Sequence, residues 1–572
     1  MPGRRVGTLA LMASLILAGC AEKPESADTV YSGGPVLTMA GDEPSYVEAL
    51  VVKDGRVLFA GDSEAADAYI GPETRQVNLG GHTLLPGFID AHGHVFNAGF
   101  QKLSANLLPP PDGGVDSIEA LIEEYQRWQQ DGGGLIEATG WIIGFGYDDS
   151  QLAEQRHPTA DDLDRVSTEM PVLAMHQSGH LAAMNHKGLE LAGYNVGVDD
   201  PSGGVVRREA DGVTPNGVLE EMAFFQPAFQ MFGSIDAATN ARIALAGIDA
   251  YTQFGFTTAQ EGRASRENAE AWQELADAGR LSIDVAVYPD VQAAGDFLEE
   301  VGVSTRYQNH LRIAGGKLSF DGSPQGKTAW LTHPYVHPPE GLPESYAGYP
   351  AIVDANERQR LVNKAFENNW QLLVHTNGDA ASDAMIDAVE VAADTYGNDD
   401  RRTVMVHAQT VREDQLDRMQ ALKIIPSFFS MHTFYWGDWH RDETLGPERA
   451  ARISPTVSAL RRGMRFTEHH DAPVALPSAI MILHTTVNRT SRSGAVIGED
   501  QRVSPYIGLK ALTEWAAWQY FEESDKGTLE PGKLADLVIL DRNPLTIAPE
   551  TIRDIRVMET IKQGETVYRA SE

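Results

Sequence analysis

Two histidines flank a single glycine in "FIDAHGHVFNAG", residues 88–99. In an extended chain, residues i and i+2 project to one face, so His92 and His94 point together with Asp90 just below them. Imidazole is a good ligand for zinc and other transition metals, and two from one strand end can hold one ion. His-x-His alone is a weak signal, since a surface or hydrogen-bonded pair has the same spacing. Other apolar runs end in the same residue types: His375 closes "QLLVH", His407 closes "TVMVH" and Asp471 closes "FTEHHD". Lys317 lies inside the run "RIAGGKLSFDG". A lysine there is costly if its charge is unpaired. Its stem can instead snorkel so that its ammonium pairs with Asp321.

Such residues need a scaffold that brings several strand ends together. Between about residue 86 and residue 525, β-like runs alternate with helical patterns such as "SDAMIDAVEVAADTYG" and "EDQLDRMQALK". That alternation implies a parallel α/β architecture. Polar groups at the C-terminal strand ends favour a (β/α)₈ TIM-like barrel, which keeps its chemistry there. A doubly wound sheet is the alternative, but no Gly-x-Gly-x-x-Gly loop follows the first strand. Residues 104–236 are long for one connection and read as an insertion over the active-site face. Residues 30–85 and 526–572 carry short strands, with hairpin signals at Asp54-Gly55 and near Gly564. The two ends are expected to form one small β-sandwich domain.

The N-terminus has Arg4 and Arg5, an apolar run, then "LAGC". The order is that of a secretory signal peptide over residues 1–19, and the run is short for a membrane span. "LAGC" resembles the bacterial lipobox, which makes Cys20 the lipidation site, residues 20–29 a polar tether, and the protein a lipid-anchored component of the cell envelope, at the periplasmic side or cell surface. Cys20 is the only cysteine among 572 residues, so no intrachain disulfide forms. The net charge of −35 argues against nucleic acid as a partner. A composition 42% hydrophobic and 22% charged is that of a globular protein with a sizeable core.

Taken together, "LPGFIDAHGHV", "GWIIGFGYD", "HPTADDLDRV", "GKLSFDGS", "VHTNGDAA", "VHAQTV", "HDAPV" and "KGTLEPGKLADLVILDRNP" resemble the metal-dependent amidohydrolase superfamily that includes ureases and dihydroorotases. The chain is most similar to its amidohydrolase-3 branch, the YtcJ-like and N-substituted formamide deformylase-like enzymes, over nearly all of the mature length. The resemblance implies two divalent ions, with zinc as the default. It makes His92 and His94 ligands of the more buried ion, His375 and His407 ligands of the second, and Lys317 an N6-carboxylated bridge. Asp471 binds metal and shuttles the proton. The implied reaction is hydrolysis of a C–N amide bond of a small molecule by a metal-bridging hydroxide. An ester, lactone or cyclic amide is the alternative substrate, and an inactive envelope binding lipoprotein is a further alternative.

His180 and His432 match family histidines near the substrate, with structural hydrogen bonding as the competing role. Trp141 and Tyr147 are candidates to line the pocket, although such aromatics also build cores. Arg489 is a candidate partner for a substrate carboxylate, or a scaffold ion pair. Of His469 and His470, only one side is expected to face the site, and His470 reads as structural. Asp90 is expected to orient a histidine or anchor its strand. Lys317 makes a metal role for Glu220 or Glu221 unnecessary. "HHDAP" stands where many relatives have "SDAP", which bears on substrate choice. The segment "SMHTFYWGDWH" suggests a pocket for apolar or aromatic groups.

Overall fold

The computed structural model describes residues 25–571 except Ser234 and Glu340. The signal-peptide and Cys20 assignments, and the first part of the tether, lie outside the described residues. Eight parallel strands carry the site: β1 (Phe88–Ile89), β2 (Phe256–Ala264), β3 (Asp284–Pro289), β4 (Gly315–Ser319), β5 (Gln371–Thr376), β6 (Val404–His407), β7 (Ile425–Phe428) and β8 (Thr467–Glu468). Most of their residues are buried, as expected of parallel strands covered on both faces. Backbone hydrogen bonding divides them into two sheets. One orders β1, β2, β3 and a short strand, Leu311–Ile313; the other runs from β4 to β8 in sequence order. Lys317 of β4 forms a parallel bridge to Asp290, just after β3. At the other end, Asp471 N–H donates to His92 O at 3.3 Å and His94 N–H to Ala472 O at 2.9 Å. The residues following β8 are therefore hydrogen-bonded to those following β1.

Helices return the chain between strands, and their starts follow from side-chain acceptors. Asp290 accepts from Gln292 N and Ala293 N to start Val291–Val301, and Asp354 accepts from Asn356 N to start Ala355–Glu367. Such caps satisfy backbone N–H groups that have no partner inside the helix. The apolar faces of Ala355–Glu367 and Asp379–Tyr396 bury Leu361, Val362, Met385 and Ile386 in one core with Leu372 and Val374 of β5.

Strands from both chain ends share one eight-stranded sheet. Thr83–Pro86 pairs antiparallel with Leu537–Leu540, with Leu85 opposite Val538, and leads directly into β1. Asp54-Gly55 joins Tyr46–Lys53 to Arg56–Gly61 with φ of 48° and 71°. A two-residue hairpin with both φ positive follows the twist of its strands. Below the site, Asp284 at the start of β3 meets Lys526 at 2.6 Å and Lys562 at 2.5 Å. These ammonium groups overcome burial and hold the Asp284 carboxyl well below the usual range, and tie the C-terminal strand Val557–Lys562 to the strand core.

Residues 104–236 contain a further six-stranded sheet, ordered Gly204–Arg208, Pro215–Glu221, Leu181–Met184, Val172–His176, Ile142–Tyr147, Ala105–Asn106. It touches the strand ends through Gln177 Nε2, which donates to Val474 O at 3.1 Å, and helix Val95–Leu103 does so through Gln101 Nε2, which donates to Pro473 O at 3.2 Å. Both contacts hold the loop that follows Asp471.

Candidate active site

The residues at the C-terminal ends of β1, β4, β5, β6 and β8 converge. Asp471 Oδ1 lies 3.3 Å from both His92 Nε2 and His94 Nε2, and its Oδ2 lies 3.9 Å from His407 Nε2. His407 Nε2 stands 2.9 Å from His375 Nδ1, and Lys317 Nζ stands 2.9 Å from His92 Nε2. His407 and Asp471 have φ of 72° and 52°. Left-handed backbone is uncommon outside glycine and collects at functional sites. Here it turns two side chains inward where their strands end.

Outward hydrogen bonds decide which ring nitrogen faces in. His92 Nδ1 is 2.7 Å from Gln260 Oε1, an acceptor, so Nδ1 carries the proton and Nε2 keeps its lone pair. His375 Nε2 lies 3.1 Å from the Gly322 carbonyl, and its Nδ1 faces His407. His407 Nδ1 meets His469 Nε2 at 3.0 Å, and His469 Nδ1 meets Ser427 Oγ at 3.1 Å. Burial pushes the His92 and His375 imidazoles down to about 3, with Lys317 adding to the shift. Burial, then His375, holds His407 well below its ordinary value. Neutral rings with oriented lone pairs are the form that ligates metal.

Asp471 is buried, and its Oδ1 has no hydrogen-bond donor. An ionised oxygen facing imidazole lone pairs is unfavourable unless an electron-pair acceptor lies among them. This donor set of nitrogens and a carboxylate therefore fits divalent transition metal, and His92, His407 and Asp471 have ligand atoms within 4.8 Å of one another. Burial also brings the Lys317 ammonium down to about 7.

A cavity of about 540 Å³ opens onto His94, Lys317, His375 and Asp471. Its apolar wall comes from Phe145, Met175, Phe224 and Phe225 of residues 104–236, with Tyr349 and Ile352 closing another side. His180 and Glu221 line it too. The aromatic segment at residues 430–440 does not supply this wall. His432, Phe434, Tyr435, Trp436 and His440 are buried, and His432 Nδ1 is 2.9 Å from His440 Nε2. None of the five lines the cavity; they pack on one another and on Phe429.

Three further sequence assignments are corrected. Trp141 packs beside Gly188 inside the insertion core. Tyr147 is buried, with its hydroxyl 3.1 Å from His157 Nδ1. Arg489 is fully buried, and its guanidinium donates to the carbonyls of Ile497 at 2.8 Å, Ser454 at 3.1 Å and Ile453 at 2.6 Å. It does not line the cavity, so no substrate carboxylate meets it there. His470 faces Asp90 at 3.3 Å, and burial raises the Asp90 carboxyl to about 8. Asp90 also accepts from His92 N and Gln260 N, which fixes the turn that carries both histidines. Sequence reasoning passed over Gln260, whose one signal was a polar residue inside the apolar run "FTTAQEG".

Asp148, Asp149 and His176 form a second cluster with ligand-like spacing. There, His176 Nδ1 accepts from Ser178 N–H at 3.0 Å, so Nε2 carries the proton and donates to Asp149 at 3.0 Å. A ring with both nitrogens engaged this way has no lone pair for metal, and the cluster is a hydrogen-bonded pair.

Residues 75–568 match the Amidohydrolase family. The chain is 26% identical to YtcJ of Bacillus subtilis, covering 95% of this chain and 99% of that protein. It is 25% identical to the N-substituted formamide deformylase of Arthrobacter pascens, covering 92% and 95%. Among solved structures, an uncharacterized metal-dependent hydrolase from Pyrococcus horikoshii OT3 superposes with a TM-score of 0.72 at 26% identity, over 91% of this chain and 99% of that one. With a metal-binding donor set at the strand ends and a match over most of its length, the chain belongs to the amidohydrolase family of metal-dependent hydrolases.

Proposed function

We propose that the protein hydrolyses a carbon–nitrogen amide bond of a small molecule with two divalent metal ions, zinc by default. The observation that carries this reading is Asp471 Oδ1: buried, without a donor, and 3.3 Å from the Nε2 atoms of both His92 and His94. His92 and His94 would hold one ion and His375 and His407 the other, with Lys317, carboxylated on Nζ, and Asp471 completing the donor set. When bound, such ions lower the pKa of water and polarise a carbonyl oxygen. Asp471 takes the proton from the attacking water and delivers it to the leaving nitrogen. Gln260, Gly322 O and His469 keep the ring nitrogens turned inward while this happens. Phe145, Met175, Phe224 and Phe225 exclude water and hold an apolar part of the substrate.

The same proposal includes the wider organisation. The eight strands act as a (β/α)₈ barrel, supported by the bridge at Lys317 and the hydrogen bonds between the segments after β1 and β8. Residues 30–85 and 526–572 act as the small β-sandwich domain, residues 86–525 as the hydrolase domain, and residues 104–236 as its insertion. Cys20 anchors the mature protein in a bacterial envelope.

The test is metal analysis of protein purified without chelator, joined to a panel of amides, esters and lactones. About two metal equivalents and turnover of amides, lost on chelation and restored by zinc, is the expected result. Metal-free protein that hydrolyses amides at the full rate would overturn it.

A further inference from the structure

The cavity holds one polar pair that the proposed chemistry leaves unused. His180 Nδ1 lies 3.1 Å from Glu221 Oε2, and both side chains line the cavity. Both remain partly exposed, at 33% and 27%. Among the described residues, neither His180 Nε2 nor Glu221 Oε1 has a protein hydrogen-bond partner. With Nδ1–H held by the carboxylate, Nε2 offers a lone pair to the cavity, and Glu221 offers a second acceptor beside it.

The backbone there is specialised. Glu221 ends the strand Pro215–Glu221 with φ of 49°, and its N–H donates to His180 O at 2.9 Å. A non-glycine residue in the left-handed region is costly, and this one points a carboxylate at the cavity. The helix Met222–Phe232 then begins at once and supplies Phe224 and Phe225 to the apolar wall. The His180 ring lies 6.0 Å from that of Phe225.

The charges around the pair select the ligand. Arg263, the cavity's other cationic side chain besides Lys317, is paired with Asp290 at 2.7 Å. No lysine or arginine pairs with Glu221 among the described residues. Tyr346 and Tyr349 are the neighbouring titratable groups that feel its charge. Acceptors beside aromatic faces suit an organic cation, and a chain of net charge −35 draws cations toward it.

We propose that Glu221 and His180 form a substrate subsite for a protonated amine, carried on the apolar substituent that packs against Phe224 and Phe225. The subsite deepens the reading of this cavity as the substrate cavity of an amide hydrolase and rests on it. The preferred substrates are amides whose apolar arm ends in an ammonium group.

Binding needs no turnover, which separates the two readings. The affinities of phenethylamine and of 2-phenylethanol, its neutral counterpart, are measured by calorimetry on the metal-loaded mature protein and on Glu221→Gln. Wild type should bind the amine about tenfold more tightly, the size of one hydrogen bond to a charged group. Glu221→Gln should lose that preference while retaining 2-phenylethanol binding, which also reports that the cavity is folded. Added salt should shrink the wild-type preference, as it does for any partly exposed charge pair. Equal affinities in wild type, an unchanged preference in Glu221→Gln, or a preference indifferent to salt would each overturn the subsite. Absence of amide turnover would sink the hydrolase reading, with the amine preference still measured on its own.

Discussion

Lys317 Nζ stands 2.9 Å from His92 Nε2 although both side chains are buried. Two groups that can each carry positive charge meet where no water screens them. Burial resolves this by bringing the ammonium down to about 7 and the imidazole down to about 3. A lysine held near neutrality is a nucleophilic amine, the form that carboxylation requires, and a carboxylated lysine turns an unfavourable cation into an oxygen ligand. Lys317→Ala should therefore lose metal as well as activity. The loss should exceed the ten- to hundred-fold typical of groups that only orient ligands. Elemental analysis and amide turnover of the same preparation check it; full metal content with full activity would show Lys317 to be dispensable.

The Asp149–His176 pair predicts the opposite. Its ring nitrogens are both committed, Nδ1 to Ser178 N–H and Nε2 to Asp149. His176→Asn should leave the number of metal equivalents unchanged. A drop of one equivalent would mean that this cluster holds an ion.

Arg489 predicts a stability effect without a substrate effect. Its guanidinium is spent on three backbone carbonyls in a fully buried position. Arg489→Met leaves those acceptors unpaired and should cost about 3 kcal/mol of unfolding free energy. Denaturant titration reads that loss. KM measured on the remaining folded enzyme should match wild type, whereas a substrate-binding arginine would raise it severalfold.

Glu413, which does not line the cavity, sets an acid limit on stability. Burial would raise its pKa, but Ser458 Oγ at 2.7 Å, Arg452, and Arg462 at 2.5 Å bring it down to about 2 from 4.5. A carboxylate with a depressed folded pKa stabilises fully above its unfolded value, and that contribution fades as pH falls from about 4.5 toward 2. The side chain is 45% exposed, so solvent screening limits the contribution to about 0.5–1 kcal/mol. Glu413→Gln should thus be less stable than wild type at pH 7, with the gap closing on acidification. A gap that widens toward low pH would contradict the assignment.

Much of the site was legible in the chain itself. His92 and His94 were marked by their alternate spacing just after an apolar run, and the structure carries them on the turn that Asp90 fixes beyond β1. His375, His407 and Asp471 were marked by closing apolar runs, and Lys317 by lying inside one. These are local facts, since a buried strand must be apolar until it reaches the residue that does chemistry. The same logic found the hairpin at Asp54-Gly55, where two positive φ values favour those residue types. It did not reach Gln260, which matters only because β2 lies beside β1 and sets its amide against His92 Nδ1.

Aromatic residues were left with two possible roles for a related reason. Trp141, Tyr147 and the segment at 430–440 have the composition of a pocket wall, and composition is blind to which face a ring turns. The tertiary structure turned them into packing and gave the cavity to Phe145, Phe224 and Phe225. Arg489 has the chemistry of an anion partner until the fold buries it against three backbone carbonyls, away from the cavity. The sequence by itself determined which strand ends could bear ligands, because burial and strand period act locally. Only the tertiary structure decided which imidazole nitrogen faces inward, which rings line the cavity, and that Glu221 meets His180. Those depend on partners 41 to 168 residues away along the chain, and hydrogen bonds form by proximity in space.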